Sequence, residues 1–492
     1  MSNAILVVDV GTSSVRSSIV HEDGAVANTF QVSVLPSSPA PGMVELNAKA
    51  IGEAVLSTAN AARSAFGSEV AAVGIANQRA SAIVWDAATG ELLGPSIGWQ
   101  DLRTVIQCLV LQGEGLRLAP NVTATKHQAI LDEIDPDRSR SKAGTLRCGT
   151  VDSYVAWVLS QGSVFVTDAT NAGVTGLVDG TVSHYDDRTL EILQISRGTL
   201  PDIVDSSGVV GYATALPGSP PIAGIAGDQQ ASLVGQGCIH RGDAKITFGT
   251  GAMLNLVTAS VEAPAPVRAQ HGTFPIVAFQ LNGKKTWGLE AIALSAGTCV
   301  EWLRDDLGFF ENAADSDALA ASVPSSDGVI FIPAFVGLGT PVWDFGARGA
   351  LLGLTRGTGR AHITRAVLEG IAARGADLVE AAEADSHLAL GALKVDGGLS
   401  RNETFVTALA NATGRPIELS SEVEATTRGA GFLAGLSVGI WASLEGAVST
   451  VIPRKVVEPT LADADRLAAR ERWLDARSRA EGTIPELSGV QF

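Results

Sequence analysis

Four apolar runs in this chain end abruptly in glycine, hydroxyl and carboxylate residues. Residues 4–16, AILVVDVGTSSVR, reach Asp9 and then a turn containing Thr12, Ser13 and Ser14. Residues 224–230, GIAGDQQ, reach Asp228 and Gln229. Residues 244–253, AKITFGTGAM, open into Gly249, Thr250 and Gly251, and residues 393–402, LKVDGGLSRN, into Gly397 and Gly398. Each reads as a strand delivering a tight turn. Glycine lets a backbone approach a phosphate closely, and successive N–H groups in such turns form anion-binding concavities. A carboxylate at the strand end can hold Mg²⁺ or take a proton. Four such turns, two with a carboxylate at the strand end, predict an α/β protein with an ATP-binding cleft between two halves.

Other nucleotide motifs are missing. There is no G-x-x-x-x-G-K-[ST] loop and no G-x-G-x-x-G between a strand and a helix with an acid downstream. The protein-kinase set is absent too. The seven histidines are scattered, none in metal-ligand spacing.

Length and charge narrow the classes further. A chain of 492 residues suggests roughly two to four domains. With 52 acidic and 35 basic residues the net charge is −17, and no basic run offers a nucleic-acid surface. No apolar stretch approaches the roughly 20 residues needed to span a bilayer, and residues 4–10 read as a buried strand rather than a signal core. Cys108, Cys148, Cys238 and Cys299 are not closely paired, which suits reduced thiols in a cytoplasmic protein. A homo-oligomer, dimer or tetramer, is compatible with the chain.

Periodicity gives the organisation. Residues 48–65 carry Ile51, Ala54, Val55 and Ala62 on one helical face. Residues 71–76 read as a strand ending at Asn77-Gln78-Arg79. Helices are expected at about 290–307, 361–384, 401–413 and 425–437, the last rich in Gly and Ala for close packing. Residues 461–481 form a charged, Ala-rich amphipathic helix. The halves divide near 235–245.

The motifs taken together resemble the FGGY carbohydrate kinases, and within them most closely the glycerol kinases. DVGTSS (9–14), NQR (77–79), WQDLR (99–103), GTVDSYVAW (149–157), VTDATNA (166–172) and GIAGDQQASLVGQGC (224–238) are similar to blocks of the family's first half. ITFGTG (246–251), WGLEAIALSAGTCVEWLRD (287–305), PAFVGLGTPVWDFGARGALLGLTRGT (333–358) and VDGG (395–398) are similar to blocks of its second half. The resemblance implies the actin-like ATPase fold, two RNase H-like domains flanking a central cleft. It implies residues 1–240 as the domain with the sugar site, first phosphate loop and catalytic Asp, and 241–492 as the nucleotide domain.

It also implies roles, with ATP and Mg²⁺ as cofactors. Asp228 matches the general base that takes the acceptor's hydroxyl proton during phosphoryl transfer. An Asp there also commonly caps the next helix. Asp9 matches the Mg²⁺ carboxylate, with Asp228 its neighbour at the metal. Thr12, Ser13, Ser14 and Arg16 face phosphates in that reading, as does Thr250 beside Gly249. Gly297, Gly397, Gly398 and Asn402 match the nucleotide side. Gln78, Arg79, Trp99, Asp228 and Gln229 match the acceptor site.

The acceptor site departs from the glycerol kinase pattern. That pattern reads Asn-Gln-Arg-Glu, whereas Ala80 follows Arg79 here. Asn121 falls where an aromatic Tyr is expected, and Met253 where a Phe is expected. A lost charged hydrogen bond costs about 1.5–3 kcal/mol. The expected acceptor is therefore a longer small polyol or a ketose, with glycerol itself as the alternative if water or a neighbour compensates. The loop before GIAGD has neither a His for phosphorylation nor a Gly- and Arg-rich stretch, so neither associated form of control is expected. A different class of function is a non-catalytic actin-like nucleotide-binding module, which needs no acceptor pocket.

Overall fold

The computed structural model describes residues 3–421 and 424–490. Two similar α/β units occupy the two halves of the chain. In the first, Ala4–Val10, Ser14–His21 and Val26–Ser33 form an antiparallel meander, and Ala72–Asn77 and then Pro221–Gly227 add in parallel beside Ala4–Val10. In the second, Ala244–Phe248, Ala252–Val257 and Lys284–Ala293 form the meander, and Leu393–Asp396 and Ile417–Ser420 add in parallel beside Ala244–Phe248. The strands join one 13-stranded sheet, and the halves meet where Ser207 registers with Leu281.

The central strands are apolar because both faces are covered; every residue of Ala72–Asn77 is buried. The Ala48–Phe66 helix covers one face with the Ile51, Ala54, Val55 and Ala62 stripe. Asn47 caps its start and Gly67, at φ 71°, its end. Arg360–Ser386 packs in the second core with Leu368, Ile371 and Leu378. The Asp463–Ser478 helix docks through Trp473 and Ala476, both buried.

The Gly- and Ala-rich helix, Ala425–Ser437, crosses back to the first half and packs on Asp228–Gly235. A Cβ on Gly429 would lie 1.8 Å from the Ala231 carbonyl oxygen, and one on Gly235 1.9 Å from that of Ala425. Only glycine permits this helix contact, which fixes the element beginning at Asp228.

The expected helix from about 290 starts later. Residues up to Ala293 continue a strand paired with Ala252–Val257 and Phe274–Leu281, and the helix is Gly297–Asp305. Pairing on both edges overrides the local helical pattern. All four cysteines are buried and unpaired. Among the described residues no helix is long and apolar enough to cross a membrane.

Candidate active site

The parallel strands of the first half deliver their carboxyl ends together. Asp9 registers with Ala76, and Asn77 with Gly227, so Asp9, Gln78 and Asp228 emerge side by side. In open α/β sheets this edge is where ligands bind. Gly227 is required here, because a Cβ would meet the Arg79 side chain at 2.6 Å. Asp228 opens its helix, and its Oδ1 accepts from the Gln229 backbone N–H at 2.8 Å. The N-cap is Gly227, so this is a local contact in the first turn rather than a cap, and the Asp228 side chain remains about a third exposed. Burial pushes its carboxyl above the usual range, opposed chiefly by Arg79. Asp9 is pushed up to about 7, first by burial and further by Asp228, against Arg16.

The acceptor-side residues converge on this edge. Trp99 Nε1 donates to Thr12 Oγ1 at 3.2 Å, and Gln78 Nε2 donates to the Gly11 carbonyl at 3.0 Å. Gln78 Oε1 and Arg79 Nη1 are buried without a hydrogen-bond partner among the described residues. Buried polar atoms are normally satisfied, so these two suit a bound polar ligand.

The second half contributes one face of its meander. Register alone puts Lys245, Thr247, Met253, Asn255 and Glu290 on that face. Lys245 Nζ, fully buried, donates to Gln229 Oε1 and Thr247 Oγ1, both at 2.7 Å. Burial pulls its pKa down, against the nearby Asp396, Asp228 and Glu290. Glu290 accepts from Arg79 Nη2 at 2.8 Å and from Asn255 Nδ2 at 3.0 Å. These contacts tie the halves together at Arg79 and Gln229.

Sequence reading missed Lys245, Glu290 and Asp396 as site residues. Lys245 and Glu290 are charges inside apolar strand runs, and Asp396 ends one just before Gly397, and that was the available signal. Asp396 Oδ2 accepts from Ser232 Oγ at 3.0 Å and Gln236 Nε2 at 2.8 Å.

The glycine turns also assemble. The Gly297 N–H donates to the Gly249 carbonyl at 2.9 Å, and Ala296 N–H to that of Thr250 at 2.9 Å. Gly397, at φ 87°, backs onto Phe248, where a Cβ would sit 2.3 Å from the carbonyl oxygen. Gly249 and Gly398 face open space. Two expected residues are engaged elsewhere. Arg16 pairs with Glu424 and donates to Gln31. Asn402 caps Glu403–Thr413 by accepting from the Phe405 N–H, and its amide donates to Ser316 Oγ.

Residues 4–235 match the model of the FGGY family of carbohydrate kinases, N-terminal domain, and residues 244–438 its C-terminal domain. The chain belongs to this family. It is 41% identical to the glycerol kinase of Aromatoleum aromaticum, over 98% of this chain and 99% of that one. It is 39% identical to that of Deinococcus radiodurans, over 97% of each. Among solved structures it resembles Plasmodium falciparum glycerol kinase with ADP, at TM-score 0.90 and 27% identity, covering 100% of this chain and 99% of that one. A ligand-bound xylulose kinase from Lactobacillus acidophilus, at 22% identity and TM-score 0.83 over 99% of each chain, shares the fold. The two-unit architecture of this FGGY kinase is thus the actin-like ATPase fold.

Two positions where this FGGY kinase departs from the expected acceptor pattern are physically linked. Lys126, fully buried, donates to the Ala80 carbonyl at 3.0 Å and the Asn121 carbonyl at 2.9 Å. Burial pulls its pKa down to about 7, against Asp101. Ala80 sits at φ 60°, a left-handed conformation unusual for a residue with a Cβ. Met253, partly exposed, registers with Thr247 and Ile292.

Proposed function

We propose that this chain transfers the terminal phosphoryl group of ATP to a hydroxyl of a small polyol, with Asp228 as general base. The observation that carries this is the setting of Asp228: partly exposed at the carboxyl end of a central strand, beside Asp9 and Arg79, with neighbouring Gln229 held by Lys245 of the other half. Its raised pKa suits a group that takes a proton at neutral pH. Asp228 accepts the acceptor's hydroxyl proton as that oxygen bonds to the terminal phosphorus and the bond to the departing ADP breaks. Arg79 Nη1 and Gln78 Oε1 orient the acceptor. The 1–240 half supplies the acceptor site and first phosphate loop. The 241–492 half supplies the Gly249–Thr250, Gly297 and Gly397–Gly398 turns for the nucleotide.

Thr12, Ser13 and Ser14 fit phosphate oxygens through hydroxyls and N–H groups. The residues present also fit Mg²⁺: Asp9 and Asp228 are hard oxygen donors, and the Asp228 charge raises the proton affinity of Asp9, a setting that favours a cation. When bound, the metal offsets the charge of the transferring group. This reading carries with it a cytoplasmic location, where four unpaired thiols stay reduced.

Two acceptor readings each have support. The glycerol kinases at about 40% identity favour glycerol. Ala80, where the pattern has a carboxylate, together with Asn121 and Met253, favours a four- or five-carbon polyol or ketose. ADP release over glycerol, tetritols, pentitols and ketoses tests both. A flat response throughout favours a non-catalytic nucleotide-binding module.

A further inference from the structure

We propose that Glu290 is a positioning residue for phosphoryl transfer, holding the Arg79 guanidinium off Asp228 and leaving Arg79 Nη1 presented to the acceptor. The proposal rests on the kinase reading above. The three guanidinium nitrogens point to three different settings. Nη2 donates to Glu290 Oε2 at 2.8 Å. Nε lies 3.7 Å from Asp228 Oδ1, beyond hydrogen-bond reach. Nη1 is buried with no partner among the described residues.

Two carboxylates therefore compete for one cation, and Glu290 holds it. An Arg fork left with a single carboxylate closes on it through parallel hydrogen bonds. Closing on Asp228 would occupy the oxygen that must receive the proton. Glu290 is well placed to prevent this. It lies within the Lys284–Ala293 strand, paired on both edges, and Asn255 Nδ2 steadies the same oxygen at 3.0 Å. The other charges near this cluster are Lys245, engaged with Gln229 and Thr247, together with Asp9 and Asp396. No other carboxylate bonds Arg79 Nη2 among the described residues. Glu290 belongs to the second half and Arg79 to the first, so the arrangement also ties acceptor orientation to the relative placement of the halves.

The test uses the full-length enzyme after the acceptor panel has shown turnover; a wild-type chain inactive on every acceptor removes the kinase reading itself. Glu290→Gln keeps the shape and loses the charge. Its kcat should fall about ten- to a hundredfold, the scale of one charged hydrogen bond, while the KM for ATP stays within about twofold. Glu290→Asp, with the carboxylate withdrawn by one methylene, should fall between wild type and Glu290→Gln. Because Glu290 acts through Arg79, Glu290→Gln should cost less than about twofold more in an Arg79→Gln background. If Glu290→Gln does not fold, Glu290→Asp carries the same two readouts. Wild-type kcat in a folded Glu290 variant overturns the proposal. So does a Glu290 effect that persists at full size without Arg79, since that marks a structural role.

Discussion

The indole N–H of Trp99 donates to the hydroxyl of Thr12 at 3.2 Å, joining an acceptor-side residue to the first phosphate turn. Thr12 accepts this bond, so its own hydrogen remains available to a phosphate oxygen. Trp99→Phe keeps most of the ring and deletes the donor. A neutral hydrogen bond is worth about 0.5–1.5 kcal/mol, so KM should rise about two- to tenfold for both ATP and the acceptor. Steady-state kinetics varying each substrate in turn check this; an effect on the acceptor alone would separate the two sites.

Asp228→Asn should retain nucleotide binding and lose about 10²–10⁴ in turnover, the usual contribution of a general base. Asn preserves the side-chain oxygen that accepts from the Gln229 N–H, and the N-cap, Gly227, is untouched, so the helix start should survive. Calorimetric ADP binding and turnover on the same preparation separate the effects. Near-normal turnover in the folded variant removes Asp228 as the base.

Ala80→Glu should move specificity toward glycerol, and the unmodified chain should favour a four- or five-carbon acceptor by at least about tenfold in kcat/KM. Ala80 already occupies left-handed backbone, so replacing one Cβ residue by another adds little new strain. A wild-type preference for glycerol over every longer acceptor would make this an ordinary glycerol kinase.

Asp377 is fully buried and serves three cations: Arg374 pairs with it, Arg470 lies at 2.6 Å and Arg477 at 3.2 Å. The indole of Trp473 adds a hydrogen bond at 3.2 Å. Asp377→Ala leaves the buried Arg374 without a carboxylate, while Arg470 and Arg477 keep Glu380 and Glu481, and should lower unfolding stability by about 3–5 kcal/mol. Chemical denaturation measures this; a loss under about 1 kcal/mol would mean that water reaches the cluster.

His127 should make the fold acid-sensitive. Burial pushes its imidazole down to about 4, and Nε2 sits 3.2 Å from the Gly149 carbonyl. The unfolded chain takes up a proton near its ordinary pKa of about 6.5, which the folded chain resists. The stabilising contribution is therefore complete above about pH 6.5 and is lost as pH falls toward 4, by about 2 kcal/mol between pH 7 and pH 5. His127→Gln should flatten that part of the stability–pH curve. Parallel curves for the two proteins would exclude His127 as the source.

Much of the frame follows from local chemistry. The runs reaching Asp9, Gly249 and Gly397 are strands followed by turns, because continuous apolar stretches need cover on both faces and glycines admit sharp reversals, whereas the strand before Asp228 passes straight into the Asp228–Gly235 helix without the expected turn. The stripe on Ala48–Phe66 and the small residues of Ala425–Ser437 pack as their spacing requires. The strand through Ala293 was obscured because its partners lie at 252–257 and 274–281, and a pattern read within a short window does not include cross-strand pairing. The same reason hid Glu290 and Lys245. In sequence each is a lone charge in an apolar run; in the fold Glu290 meets Arg79 from the opposite half, and Lys245 meets Gln229. Asn402 shows the reverse case, a residue whose type suits a nucleotide contact but whose position at the start of Glu403–Thr413 commits it to capping. Sequence alone determined the strands, turns and chemical types available to the site. Tertiary structure decided which charge answers which, because that depends on register and on the meeting of two halves more than two hundred residues apart.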